Sequence, residues 1–234
     1  MALPSGYKRV EYIESNGSQY INTEFKPNQD TKVYCNVNWV PKSSGSSYLF
    51  GAETSSKVSS FLIAGYNGRW RLGYNTSESY FSEENFLQPV DVLVDKNSAT
   101  INSEETVSVN YSTFSTAYPI FIFATNRGGN PYGKHGGKLY FFKIYDNNNL
   151  IRDFIPVISS SNIYGLYDLV NNKFYTSASS TPFSGGQIIT TLNMPVNIGG
   201  SWKDSDSIHV NIGGTWKEVE AAYVNIDGAW KELG

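Results

Sequence analysis

Cysteine is almost missing from this sequence. The single Cys35 among 234 residues excludes an internal disulfide, and its place in the alternating run Lys32-Val33-Tyr34-Cys35-Asn36-Val37 predicts a buried structural thiol. Histidine is equally scarce. His135 and His209 stand far apart with no ligand spacing around either, so neither a zinc pattern nor a serine-histidine-aspartate arrangement is suggested. Charge is low, at 17% of residues, and the net value of -3 is unevenly placed: from Val196 onward three lysines face six acidic residues, which leaves Met1 to Pro195 with fifteen of each sign. A neutral body has no electrostatic footprint for nucleic acid or for an anionic membrane, and neither is expected as a partner. No run approaches the ~20 apolar residues of a membrane span. The segment Met1 to Val10 lacks the apolar centre of a secretory signal, so synthesis in the cytoplasm without a signal peptide is expected.

Aromatic residues are plentiful. They make up 15% of the chain, with 17 Tyr and 13 Phe, and hydrophobic residues reach 40%, ample for one packed core. A surface that presents rings and amides more than ions suits neutral ligands. Strand-like runs follow one another with no helical period. Thr31 to Val40 alternates, with Val33, Cys35, Val37 and Trp39 on one face. Tyr7 to Glu14 and Tyr20 to Phe25 read as strands, as do Tyr48 to Ala52, Ser60 to Tyr66 and Arg69 to Tyr74, the last two joined by the hairpin former Asn67-Gly68. In Tyr7 to Glu14, Val10 and Tyr12 are set against Arg9, Glu11 and Ile13. Gln88 to Asp95, Ser98 to Ile101, Thr106 to Val109 and Tyr118 to Ala124 continue the pattern. Leu139 to Tyr145 turns at Asp146-Asn147-Asn148-Asn149 into Leu150 to Val157, and Gly165 to Val170 turns at Asn171-Asn172 into Lys173 to Tyr175. About a dozen short strands within residues 1–189 predict an all-β, antiparallel two-sheet sandwich.

After a linker at 190–195 the chain changes character. Val196-Asn-Ile-Gly-Gly-Ser-Trp202-Lys, Val210-Asn-Ile-Gly-Gly-Thr-Trp216-Lys and Val224-Asn-Ile-Asp-Gly-Ala-Trp230-Lys repeat with a period of 14 residues. Each reads as a small β-hairpin turning at Gly-Gly or Asp-Gly. Residues 196–234 are too few to be stable alone, so Trp202, Trp216 and Trp230 are expected to serve packing or oligomerisation.

Two stretches carry a resemblance: Tyr7 to Phe25, and Ile120 to Ser177 with its Arg152-Asp-Phe-Ile-Pro and Gly165-Leu-Tyr-Asp segments. Together they resemble the concanavalin A-like, laminin-G-type jelly-roll domains of bacteriophage and prophage tail proteins and of some bacterial surface proteins, over most of Met1 to about Gly186. The terminal repeats look like the hairpin repeats at the ends of phage tail fibres. The resemblance implies a jelly roll and a tail-associated receptor-binding or adhesion module on a virion. Its implied partners are a host cell-surface or cell-wall glycan, other tail proteins and further copies of the chain, a trimer being one such form. It admits calcium in some members, but no acid-rich loop here supports it, so no cofactor is expected.

Jelly rolls also host glycosidases, which need two carboxyl groups at close range. The acids of Glu11-Tyr12-Ile13-Glu14 fall on opposite faces of a strand, Glu83-Glu84 and Glu104-Glu105 sit in expected loops, and Asp153 and Asp168 read as hairpin-capping residues. No catalytic set emerges, and an enzyme is not expected. A binding surface remains. Sugars are held by rings against their C–H faces and by planar hydrogen-bonding groups. Tyr66, Asn67, Arg69, Trp70 and Arg71 combine these on one hairpin. Asn126, Arg127, Asn130, Tyr132 and His135 combine them on an expected Gly-rich loop. These ten residues are the candidate carbohydrate-binding set.

Overall fold

The computed structural model describes residues 3–82 and 85–189 and, beyond them, the backbone of six strands between Val196 and Glu232. The chain divides into two compact units, Met1–Ile188 and Ile189–Gly234. All regular structure among the described residues is strand.

Two sheets make up the first unit. The larger runs Glu105–Ser108, Ser98–Ile101, Val90–Asp95, Thr31–Asn38, Gly136–Asp146, Asn149–Ser159, Tyr164–Asp168, Lys173–Tyr175, with Tyr7–Arg9, Ile13–Asn16 and Ser184–Gly185 attached. The smaller runs Asn130–Tyr132, Thr125–Arg127, Ser46–Glu53, Ser60–Tyr66, Arg69–Asn75, Ser77–Tyr80, with Phe121–Ile122 bridging Ser46–Glu53 to Ile21–Asn22. Every pairing is antiparallel except one, Thr125–Arg127 alongside Ser46–Glu53. The architecture is the antiparallel sandwich expected for a jelly roll.

Alternation explains how the sheets stack. In Thr31–Asn38 every second residue, from Thr31 to Val37, is buried, and this face meets Phe50, Phe61, Ile63, Trp70 and Leu72 of the smaller sheet in one core. Across the layers the rings of Phe50 and Phe142 lie 5.2 Å apart and those of Trp39 and Trp70 4.8 Å apart, both edge to face. This geometry is favoured beyond the area that it buries. Cys35 is fully buried, and burial pushes its thiol pKa up.

Turn chemistry fixes the hairpins. Asn67 and Gly68 adopt φ of 50° and 84°, and Asn147 and Asn148 adopt 47° and 63°. Asn and Gly tolerate this left-handed backbone, and two-residue hairpins need it. Asp168, fully buried, accepts from the backbone N–H of Asp153 (3.0 Å) and Val170 (3.1 Å) and from Asn171 Nδ2 (2.7 Å), with Arg152 Nε 3.5 Å away. Its role is to lock the Asn149–Ser159 and Tyr164–Asp168 pairing.

Several expectations change. Tyr7 to Glu14 is two strands, Tyr7–Arg9 and Ile13–Asn16, with Val10 in an isolated bridge to Ile188. The break resets the alternation, so Ile13, expected beside Arg9, is fully buried. Tyr118 to Ala124 keeps only Phe121–Ile122, because Phe123 at φ 64° interrupts the extended chain. Tyr20 to Phe25 shortens to Ile21–Asn22 before Glu24 at φ 60°. Ser77–Tyr80 is an additional strand. Glu83 and Glu84 lie outside the described residues.

In the second unit the backbone forms three antiparallel hairpins: Val196–Ile198 with Ser201–Lys203, His209–Ile212 with Thr215–Glu218, and Tyr223–Ile226 with Ala229–Glu232. Each is its own two-stranded sheet. The side chains of Trp202, Trp216 and Trp230, and the linker 190–195, lie outside the described residues.

Candidate functional site

A pocket of about 530 Å³ lies on the face of the smaller sheet turned away from the core. Its composition follows from strand register. Asn130 stands opposite Arg127, which stands opposite Glu53. In the next row Tyr132, Thr125, Gly51, Leu62, Gly73 and Glu78 are aligned across six strands. A third row holds Tyr48, Ala64, Arg71 and Tyr80.

Two glycines shape the floor. A Cβ on Gly51 would fall 2.4 Å from Leu62 Cβ, and one on Gly73 would fall 2.8 Å from a Leu62 methyl. Leu62 therefore spreads over both bare backbones, and with Tyr48 and Ala64 forms a small buried cluster of its own. Absent side chains beside one lying flat leave a depression.

The depression is walled by rings and paired charges. Arg127 donates from Nε to Glu53 (2.8 Å) and from Nη2 to the Tyr48 hydroxyl (2.7 Å), and its guanidinium lies 3.6 Å from the centroid of the Tyr132 ring. Arg71 pairs with Glu78, which also accepts from the Tyr80 hydroxyl at 3.0 Å. Glu53 is only 3% exposed, a burial tolerable for a carboxylate because a fork-shaped cation meets it. Burial opposes the charge on Arg71, but Glu78 and the Tyr48 and Tyr80 hydroxyls outweigh it and the pKa rises. The same balance, with Glu53 as chief partner, raises Arg127. Burial, aided by Glu53, raises the Tyr48 hydroxyl, and burial with Glu78 raises Tyr80.

Of the ten residues selected from sequence, the pocket brings together Tyr66, Arg71, Arg127 and Tyr132. Arg69 stands on the same face at the rim, its guanidinium 5.3 Å from the Tyr80 ring and bonded to the Phe81 carbonyl at 3.1 Å. Asn130 is exposed beside Arg127. The other four have different work. Trp70 is 1% exposed and points inward, packed on Trp39 and Phe86. Asn67 is the hairpin corner and accepts from Gly45 N at 2.8 Å. Asn126, 2% exposed, closes a tight turn by accepting from Gly129 N at 2.9 Å while its amide donates to the Pro119 carbonyl at 3.0 Å. His135 is bonded to the Val40 carbonyl at 2.9 Å and lies edge-on to Trp39, and burial lowers its pKa. The stretch holding these residues is not an open loop. It is largely a hairpin, Thr125–Arg127 with Asn130–Tyr132, and this is what aims Arg127 and Tyr132 at the pocket.

Sequence reading missed Tyr48, Glu53, Glu78 and Tyr80. A bulge between Tyr48 and Phe50 puts Tyr48 on the same face as Gly51, three residues on, where simple alternation would separate them.

No protein-family model and no curated protein matches the chain. Among the described residues no three His, Cys, Asp or Glu side chains converge as metal ligands. Both carboxylates in the pocket are held by arginines. What is offered to a ligand is a set of rings beside fixed donors and acceptors.

Proposed function

We propose that this chain is a non-enzymatic carbohydrate-binding module that recognises a host cell-surface or cell-wall glycan as part of a phage tail. The observation that carries the binding reading is the convergence of Tyr66, Tyr80 and Tyr132, above a buried Tyr48, with the Arg71–Glu78 and Arg127–Glu53 pairs around one depression. Rings accept the C–H faces of a pyranose, and ion pairs fixed in place supply forked donors and acceptors for adjacent hydroxyls. The tail context rests on the resemblance to concanavalin A-like tail domains and on the terminal repeats. Weak single sites gain strength when copies are arrayed on a particle. A glycan array probed with the native chain and with Tyr132→Ala tests it: binding that the substitution removes supports the reading, and no glycan bound at millimolar concentration defeats it.

A second reading is a structural or decoration protein of the tail, or a bacterial surface adhesin, whose repeats oligomerise. Three hairpins, each a separate two-stranded sheet, favour it, because an isolated hairpin is marginal in water and needs a partner. Ending the chain at Pro195 separates the two. Loss of the oligomer with glycan binding retained supports the first reading, and loss of particle incorporation alone supports the second.

A further inference from the structure

We infer that the groove takes an uncharged stretch of a saccharide chain and discriminates against carboxylated, phosphorylated or sulfated ones; this rests on the carbohydrate reading above. The two arginines and two carboxylates that line the groove are paired with each other before a ligand arrives, while Arg69 at the rim is turned to the Phe81 carbonyl and the Tyr80 ring. Arg127 is paired with Glu53 at 2.8 Å and Arg71 with Glu78. Glu53 is 3% exposed and cannot turn to solvent to make room, so an incoming anion meets a fixed negative charge beside the guanidinium that would attract it. Lys57 is the one cation of the lining without an ion-pair partner among the described residues, and it is exposed, where salt screens it.

What stays available matches hydroxyls. Glu78 is half exposed, with a side-chain exposure of 48%, and keeps acceptor capacity. Arg71 and Arg127 keep side-chain exposures of 16% and 15%, a narrow donor surface that excludes Arg71 Nε, which is buried without a partner among the described residues. A sugar hydroxyl both donates and accepts, so it can bridge a carboxylate and a guanidinium, whereas an ionised carboxylate, phosphate or sulfate accepts only and leaves Glu78 facing a like charge. The rings of Tyr66 and Tyr132, each nearly half exposed, flank this polar strip as apolar contact surfaces.

Titration calorimetry on the full chain tests the inference. One set of probes is neutral, glucan and N-acetylglucosamine oligosaccharides; the other is anionic, oligogalacturonate, heparan sulfate and glycerol-phosphate oligomers. The expected result is binding within the neutral set, with anionic members at least about tenfold weaker, and an affinity that changes less than about twofold between ~0.05 M and ~0.5 M salt. Glu78→Gln uncovers Arg71 and should narrow the gap, with the gained anion binding lost again at high salt. Tyr132→Ala should weaken neutral ligands without touching the charge balance. Preferential binding of anionic probes that weakens with salt overturns the inference and leaves the carbohydrate reading standing. Binding of neither set, by the native chain, removes both.

Discussion

The guanidinium of Arg127 sits 3.6 Å from the centroid of the Tyr132 ring while its Nε holds the buried carboxylate of Glu53 at 2.8 Å. One side chain thus joins a surface ring to a charge inside the sheet. The two partners separate function from stability. Tyr132→Ala removes an exposed ring and a cation–π contact of about 1 kcal/mol, so the fold should persist while saccharide affinity falls about tenfold or more. Arg127→Ala leaves Glu53 buried and uncompensated and should cost about 3 kcal/mol of stability. Denaturant unfolding beside calorimetric titration distinguishes them.

Glycines of the groove and of the hairpins should respond differently. Gly51→Ala forces a Cβ to 2.4 Å from Leu62 Cβ, an overpacking expected to cost about 1–3 kcal/mol and to raise the groove floor, weakening ligand binding. Gly68→Ala meets no atom within 4 Å and carries only the strain of φ 84°, about 1 kcal/mol, with binding unchanged. Equal effects on binding would contradict the assigned floor.

Asp168→Ala should be among the most damaging single changes. It strands two backbone N–H groups and takes the carboxylate from Asn171 and Arg152, which keep only carbonyl partners at Ile151 and Thr23, for a loss of about 3 kcal/mol. Thermal unfolding checks it, and a loss below about 1 kcal/mol would contradict its role as the lock of that hairpin.

Two groups, the half-buried His135 and the buried Tyr74, contribute to the stability profile with pH at its two ends. Burial lowers the His135 pKa from its ordinary 6.5, so the unfolded chain takes up the proton first and stability should fall as pH drops below about 6.5; in His135→Gln that part of the slope should vanish. At the other end burial raises Tyr74 from 10.0 to about 12. The folded state there holds the proton longer, and its contribution should be lost as pH rises from 10 towards 12. Urea midpoints across pH for both proteins give the test.

Much of this was legible in the chain because it is local. Asn67-Gly68 and Asn147-Asn148 announced their turns through backbone tolerance alone, and Thr31 to Val37 showed its buried face by alternation. Half of the groove was legible for the same reason: rings and guanidiniums at Tyr66, Arg71, Arg127 and Tyr132 marked themselves by type. Position was harder. Alternation within Arg69–Asn75 sends Trp70 inward as it sends Arg71 outward, so one tripeptide could not supply both to a ligand. Asn126 has the chemistry of a sugar contact but uses its amide oxygen to close its own turn and its amide nitrogen to hold the Pro119 carbonyl. Tyr48 was concealed by a bulge, a defect in the alternation that only pairing with Ser60–Tyr66 reveals. Glu78 and Tyr80 lie on Ser77–Tyr80, whose Ser-Glu-Ser-Tyr sequence has little strand propensity of its own and forms on the neighbouring edge.

The most direct test of the central claim is nuclear magnetic resonance shift mapping of the full chain titrated with host-derived cell-wall saccharides. Perturbations are expected at Tyr48, Tyr66, Leu62, Arg71, Tyr80, Arg127 and Tyr132, saturable and abolished by Tyr132→Ala. Perturbations confined to the opposite sheet or to the His135 end, or none at millimolar saccharide, would contradict it.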